Sequence, residues 1–424
     1  MKMKKSIKTI AAIGLSALMT VSCTSAKKLS GNDKMPKLDG TENVDDGYLI
    51  LSDAQRDMAT NSNNFAFKFF NKVSGFDSKI TSPLSASCLL GMLANGADGD
   101  TRTEIKKVLE ANGLSLDEIN SFYKLLLENQ ARLDKSVNLN IANYIAINKD
   151  FKIKDEFKST MDNDYDAEVE NLDFLSPQTL GHINNWCKKH TNGMIPKIIE
   201  SVDANAVTYI MNAIYFNGTW QDKFEKNATQ EERFQGYTRD IKRVKMMHQE
   251  NNFQYADASN YSAVTLPYGN GAFAMTILLP HQGQSISDML HGFDADSFSK
   301  LLSNMKECVV DLKIPRFSTE VEMNLNETMQ QLGAPTMFKP TADFSNMSDA
   351  NIVISKILQK AKIEVSEEGT KAAATTAAIA VLSALDPETP KHVAFHADRP
   401  FVYIISERST NAIFFIGQFT GDEL

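Results

Sequence analysis

Cysteine is scarce in this chain: Cys23, Cys88, Cys187 and Cys308 are all it has in 424 residues. None of their separations matches the close pairs of a zinc site or a redox motif, and they do not form a disulfide scaffold. Cys88, inside the apolar run Cys88-Leu89-Leu90-Gly91-Met92-Leu93, reads as a small buried hydrophobe. Positive charge is also short, with 44 Lys and Arg against 53 Asp and Glu and a net charge of −9. Past the amino terminus no basic cluster is interleaved with aromatics, which excludes nucleic acid as a partner; the net charge favours solubility. Catalytic signatures are missing as well. Seven histidines form no His-Glu-x-x-His pair, and there is no nucleophile elbow past the amino-terminal segment, no Walker loop and no dinucleotide fingerprint. Asp98-Gly99-Asp100-Thr101 falls short of a calcium loop because Thr103 stands where the glycine is required. It reads instead as a turn between helices, capped by Thr101 or Thr103. The chain is read as a non-enzyme without metal or cofactor.

No apolar run is long enough to span a bilayer. Ile10 to Met19 is too short, and with Lys2, Lys4, Lys5 and Lys8 before it the segment has the form of an export signal over residues 1–22. Thr20-Val21-Ser22-Cys23 is similar to a bacterial lipobox, with Thr20 in place of the usual leucine. Lipidation of Cys23 would leave residues 23–48 as a flexible tether and anchor an exported protein in the bacterial cell envelope. Without it the protein is secreted. The membrane is reached only through that anchor.

What remains, residues 49–424, has no Pro/Gly/Ser linker and no internal repeat. Helical spacing marks 53–73, 85–95, 176–190 and 325–332. Strand-like runs cover 137–147, 206–215, 263–279, 309–314, 352–365, 393–395 and 401–405. One large α+β domain with mainly antiparallel strands accounts for this mixture.

One stretch does not fit. From Ala372 to Leu385 there is no proline, glycine or charge, and before Ile379 no side chain of core size. It lies between two strand-like runs without turn chemistry. Such a segment is a helix by alanine propensity, an irregular loop, or a strand not yet placed in a sheet.

The residues as a set resemble the serpin family over essentially all of 49–424. Ile80-Thr81-Ser82-Pro83-Leu84-Ser85 resembles the entry to a helix whose two serines, here Ser82 and Ser85, sit beneath the main sheet. Asn212-Ala213-Ile214-Tyr215-Phe216-Asn217-Gly218-Thr219-Trp220 resembles the strand carrying a shutter asparagine and a breach tryptophan. Further blocks are Val244-Lys245-Met246-Met247, Val264-Thr265-Leu266-Pro267-Tyr268, Lys313-Ile314-Pro315-Arg316-Phe317, Leu332-Gly333, Ala342-Asp343-Phe344-Ser345, and Arg399-Pro400-Phe401 through Phe415-Ile416-Gly417. Their order and separation make the resemblance specific.

It implies the serpin fold, with three β-sheets, eight or nine helices and an exposed reactive-centre loop at about 367–392. It also implies a suicide substrate that traps a serine protease as an acyl-enzyme when the cleaved loop enters the main sheet. Glu367, Glu368, Gly369, Thr370, Ala372, Ala374 and Thr376 match the loop hinge. In the family's pattern the hinge glycine lies fifteen residues before the cleaved bond, which places it at Ser383–Ala384, with Leu382–Ser383 or Leu385–Asp386 as alternatives. Alternation then buries Thr370, Ala372, Ala374, Thr376, Ala378, Ala380 and Leu382, none charged, while Lys371 points outward. Gln359 stands where the family often has histidine, and a glutamine network with Ser82, Ser85 and Asn212 would not titrate. No Lys or Arg lies between Lys371 and Lys391, which excludes trypsin-like targets and points to elastase-like or subtilisin-like proteases. The Leu bonds would favour chymotrypsin-like enzymes, and cysteine proteases are secondary candidates. The inhibitor is expected to act as a monomer. The alternative is a non-inhibitory binding protein on the same scaffold.

Overall fold

The computed structural model describes residues 44–45, 48–237, 240–370 and 390–421. In chain order its elements begin with β1 (Val44–Asp45), β2 (Tyr48–Leu49), α1 (Asp53–Val73), β3 (Lys79–Thr81), α2 (Pro83–Gly96), α3 (Gly99–Val108) and α4 (Leu116–Leu133). There follow β4 (Val137–Asn148), α5 (Asp155–Tyr165), β5 (Ala167–Leu172), α6 (Gln178–His190), β6 (Thr208–Thr219), β7 (Gln230–Gln235), β8 (Ile241–Asp257), β9 (Tyr261–Pro267) and β10 (Phe273–Pro280). The rest are α7 (Ile286–Leu290), α8 (Ala295–Asn304), β11 (Lys306–Pro315), β12 (Phe317–Asn324), α9 (Asn326–Leu332), β13 (Lys356–Ser366), β14 (Gly369–Thr370), β15 (Lys391–His396), β16 (Phe401–Glu407) and β17 (Ile413–Phe419).

The strands form a six-stranded sheet in the order β12-β13-β14-β6-β4-β5, a nine-stranded sheet, and the ribbon β1-β2. The long β8 makes the nine-stranded sheet continuous, because its start pairs with β7, its middle and second half with β11, and its end with β9. With nine α-helices among the described residues, the architecture is the expected α+β class. The ribbon begins at Val44, inside the stretch read as tether.

Local chemistry explains the helix starts. Ser52 with Gln55 and Ser115 with Glu118 form reciprocal capping boxes at α1 and α4. Pro83 opens α2 behind the N-cap Ser82, and that helix is buried nearly all round between the sheets. Neither threonine proposed for the 98–101 turn caps α3. Thr103 donates back to the Gly99 carbonyl, and Thr101 accepts from the Asp343 amide, so both hydroxyls are engaged elsewhere. The run 263–279 is two strands, β9 and β10, separated by a turn in which Gly269 and Gly271 both have positive φ.

β6 is buried along almost its whole length because both of its faces are covered. Ile210, Ile214 and Phe216 face the main core, while Tyr209, Met211 and Ala213 face a second cluster under α6 with Tyr144, Ile183 and Trp186. Trp186 stacks on Tyr144 at 4.6 Å between ring centroids.

Candidate functional site

The six-stranded sheet has a seam. β13 and β6 are parallel neighbours from Lys356↔Tyr209 to Lys362↔Tyr215. Above that point they part, and Gly369–Thr370 enters between them, antiparallel to both. Val365 faces Thr370 on one side and Gly218 faces it on the other.

Gly369 permits this entry. Its φ is +137°, and a Cβ there would lie 2.2 Å from the Gly218 oxygen and 2.7 Å from the Trp220 nitrogen, both backbone atoms that cannot move aside. Thr370 is fully buried, and its hydroxyl shares a 2.7 Å hydrogen bond with the Tyr268 hydroxyl. Burial pushes the Tyr268 phenol far up, so the pair is neutral. Trp220 stacks on Tyr268 with centroids 4.4 Å apart. Its indole N–H donates to the Ser366 carbonyl (2.9 Å) and its backbone N–H to the Glu368 carbonyl (3.1 Å). The Ser366 hydroxyl closes the turn by donating to the Gly369 carbonyl.

The two hinge glutamates differ in setting. Glu367 is 7% exposed along its side chain, accepts from the Thr229 hydroxyl at 2.8 Å, and has the Arg316 guanidinium at 3.9 Å. Glu368 lies nearer the surface between Lys223 Nζ (2.9 Å) and Lys226 Nζ (3.0 Å). The hydrogen bond from Lys223, then that from Lys226, holds its carboxyl below the usual carboxylate value.

Midway down the seam, Gln359 on β13 stands opposite Asn212 on β6. Gln359 is fully buried and does not reach Asn212. Its amide clasps the Ser82 backbone, accepting from Ser82 N (3.1 Å) and donating to Ser82 O (2.8 Å). The Ser82 hydroxyl lies 2.7 Å from the Phe414 carbonyl and 3.0 Å from the Ser85 hydroxyl. Asn212 turns instead to Asn143 Oδ1, donating at 2.9 Å, and its own buried Oδ1 has no hydrogen-bond partner among the described residues. The structure thus divides the four residues proposed as one network into a Ser82–Ser85–Gln359 group and an Asn212–Asn143 pair.

Ala372, Ala374, Thr376 and the candidate bonds at Leu382, Ser383, Ala384 and Leu385 lie outside the described residues, as does Cys23. Cys88, Cys187 and Cys308 are free and buried. Sequence reasoning missed Tyr268 as the partner of Thr370 and Lys223 and Lys226 as partners of Glu368. These contacts join residues more than a hundred positions apart and leave no periodic signal. Asn143, 69 positions from Asn212, likewise left no periodic signal.

The central sheet thus has two neighbouring parallel strands that part at one end around Gly369–Thr370. The family model for "Serpin (serine protease inhibitor)" matches residues 60–421. The leukocyte elastase inhibitor of Sus scrofa is 33% identical over 365 residues, covering 83% of this chain and 95% of that protein. The leukocyte elastase inhibitor of Homo sapiens is 34% identical over 353 residues, covering 80% and 92%. Among solved structures, the thermophilic serpin tengpin in its native state superposes with a TM-score of 0.79 at 30% identity, covering 88% of this chain and 95% of tengpin. The chain belongs to the serpin family. Its general class of activity is therefore serine protease inhibition, and members of this class are inhibitors rather than enzymes.

Proposed function

We propose that the chain is a suicide substrate: cleavage of its loop frees residues 371–380 to enter the seam below Thr370, carrying the acyl-linked protease with them. The observation that carries this reading is the register at the hinge. Thr370 faces Val365 and Gly218, so six residues on, Thr376 would face Gln359 and Asn212, which already face each other. On the same side as Thr370, Ala372, Ala374 and Ala378 would meet Ile363 and Phe216, Ala361 and Ile214, and Ile357 and Ile210, all of them core residues. Lys371, on the other face, would lie opposite Glu364. Small uncharged side chains enter such a site without leaving a charge in the core, which would cost several kcal/mol.

The exchange favours insertion. The parallel pairing of β13 with β6 would give way to two antiparallel ladders, which are the stronger kind and which satisfy the backbone of the incoming strand. An inserted strand would run some 40 Å from Thr370 to Ser383 at about 3.3 Å per residue, enough to bring a bound protease from one end of the sheet to the other.

The loop composition supports Ser383–Ala384 as the bond and elastase-like or subtilisin-like enzymes as targets, the name of the pig relative agreeing with the former. Cleavage at Leu382–Ser383 or Leu385–Asp386 would indicate a chymotrypsin-like target. Cys23 is proposed as the lipidated anchor in the bacterial envelope, tested by palmitate labelling of the chain and of Cys23→Ser.

Mixing the protein with elastase or subtilisin and running a denaturing gel tests the mechanism. A stable band near the summed mass is expected, with a released carboxy-terminal peptide that begins at Ala384. Cleavage at every ratio without complex would leave a non-inhibitory binding protein on this scaffold.

A further inference from the structure

A cavity of about 500 Å³ lies between α8 and the sheet surface at the far end of the loop. Strand register builds its floor. Lys306 pairs with Tyr255 across β11 and β8, and Cys308, two residues on and so on the same face, pairs with Lys391 at the start of β15. Tyr255 and Cys308 from one face of the strands, and Tyr261, Ala256 and Ala258 from the other, give the lining an apolar character where it wraps the sheet end. α8 supplies the opposite wall with Ser297, Lys300, Leu301 and Asn304, at spacings that share one helix face.

Charge at the mouth is one-sided. Lys300, Lys306 and Lys391 all line the cavity, none of them in an ion pair within 4 Å among the described residues, with Asp294 acting on Lys300 from outside the lining. The single acid of the lining, Asp257, is engaged by the Ser262 hydroxyl and by His281, each at 3.1 Å. In a chain of net charge −9, three unpaired ammonium groups around one concavity form a local positive focus. An apolar, tyrosine-floored volume of this size with a few convergent polar groups has the dimensions of a small-ligand site.

We propose that this cavity binds an amphipathic organic carboxylate, its head group held by Lys300, Lys306 and Lys391 and its apolar body laid against Tyr261, Ala258 and Leu301. Asp257 is the one lining anion and is already engaged by Ser262 and His281, so an anionic head group is the one that the three lysines favour. Because Lys391 opens the strand that follows the loop, an occupant would join that strand to α8. The proposal does not depend on the inhibitory mechanism.

Calorimetric titration of the full chain with dodecanoate, below its micelle concentration, tests it. Saturable one-to-one binding is expected, with dodecanol and dodecylammonium at least about tenfold weaker. Lys300→Glu and Lys391→Glu lie on the surface and should each weaken dodecanoate about tenfold, an effect that higher salt reduces. Equal binding of the three amphiphiles, no effect of either charge reversal, or binding confined to phosphatidylglycerol vesicles would each overturn the assignment.

Discussion

Two residues set the geometry of the hinge and two set its charge. Gly369 admits no side chain, since any Cβ would strike the backbone of β6. Thr370 has no exposed surface and no charged neighbour in hydrogen-bonding reach, so Thr370→Arg would force a guanidinium into the core in the intact hinge and again on insertion, or hold the hinge out of the sheet. That variant is expected to be cleaved rather than to trap. Its stoichiometry of inhibition should rise severalfold, and an unchanged stoichiometry would refute insertion through this point. Glu368 makes the hinge sensitive to acid. Its folded pKa lies below the ordinary 4.5, so its contribution is fully present above about pH 4.5 and is lost as pH falls through the lowered value. The chain has two tryptophans, Trp186 and Trp220, so in a Trp186→Phe background Trp220 emission reports on the hinge alone. The emission should hold constant from pH 7 to pH 5 and change below about 4.5. Replacing Lys223 and Lys226 with alanine should move that change upward.

Among the elements, the pair β13–β6 and the helix α6 matter most. The second core cluster spans the seam, with Leu358 on β13 and Met211 on β6 both packed under α6 side chains, so a strand entering there must loosen that cover. The orphan Asn212 Oδ1 gives a sharper test. The register extended from Thr370 brings the Thr376 hydroxyl beside it, where it would supply the missing donor. Thr376→Val should leave the melting of the intact protein unchanged and remove roughly 1–3 kcal/mol of the stability gained on cleavage, the cost of a buried unsatisfied acceptor. Equal melting of the two cleaved proteins would separate Thr376 from Asn212. At this scale much was legible in the sequence. The periodicity over 53–73 matches α1 residue for residue, and 137–147 and 401–405 fall on β4 and β16. The break between β9 and β10 was lost because apolar residues flank Asn270-Gly271 so closely that they mask its turn chemistry. The division of the seam network could not be read at all. Whether Gln359 bonds Asn212 or Ser82 depends on how α2 sits beneath the sheet, and Ser82 and Gln359 are 277 positions apart.

The whole molecule is arranged around an unfinished sheet. Its core, its nine-stranded sheet and its central helix are complete, yet in the six-stranded sheet β13 and β6 make the weaker parallel pairing along a line where a further antiparallel strand would fit. The stretch from Ala372 to Leu385, which suited no ordinary element, has the composition of that strand. Small inward residues, no proline and no inward charge are what the neighbours on either side require. On the proposed mechanism the intact protein lies above a more stable inserted form, with the uncut loop as the restraint.

That ordering is open to one direct measurement, the thermal unfolding of the protein before and after its loop is nicked by a protease that it does not trap. Insertion adds a strand to the centre of the sheet and should raise the melting temperature by more than about 10 °C, several kcal/mol at the few degrees per kcal/mol typical of domains. A nicked protein that melts at or below the temperature of the intact one would contradict the account.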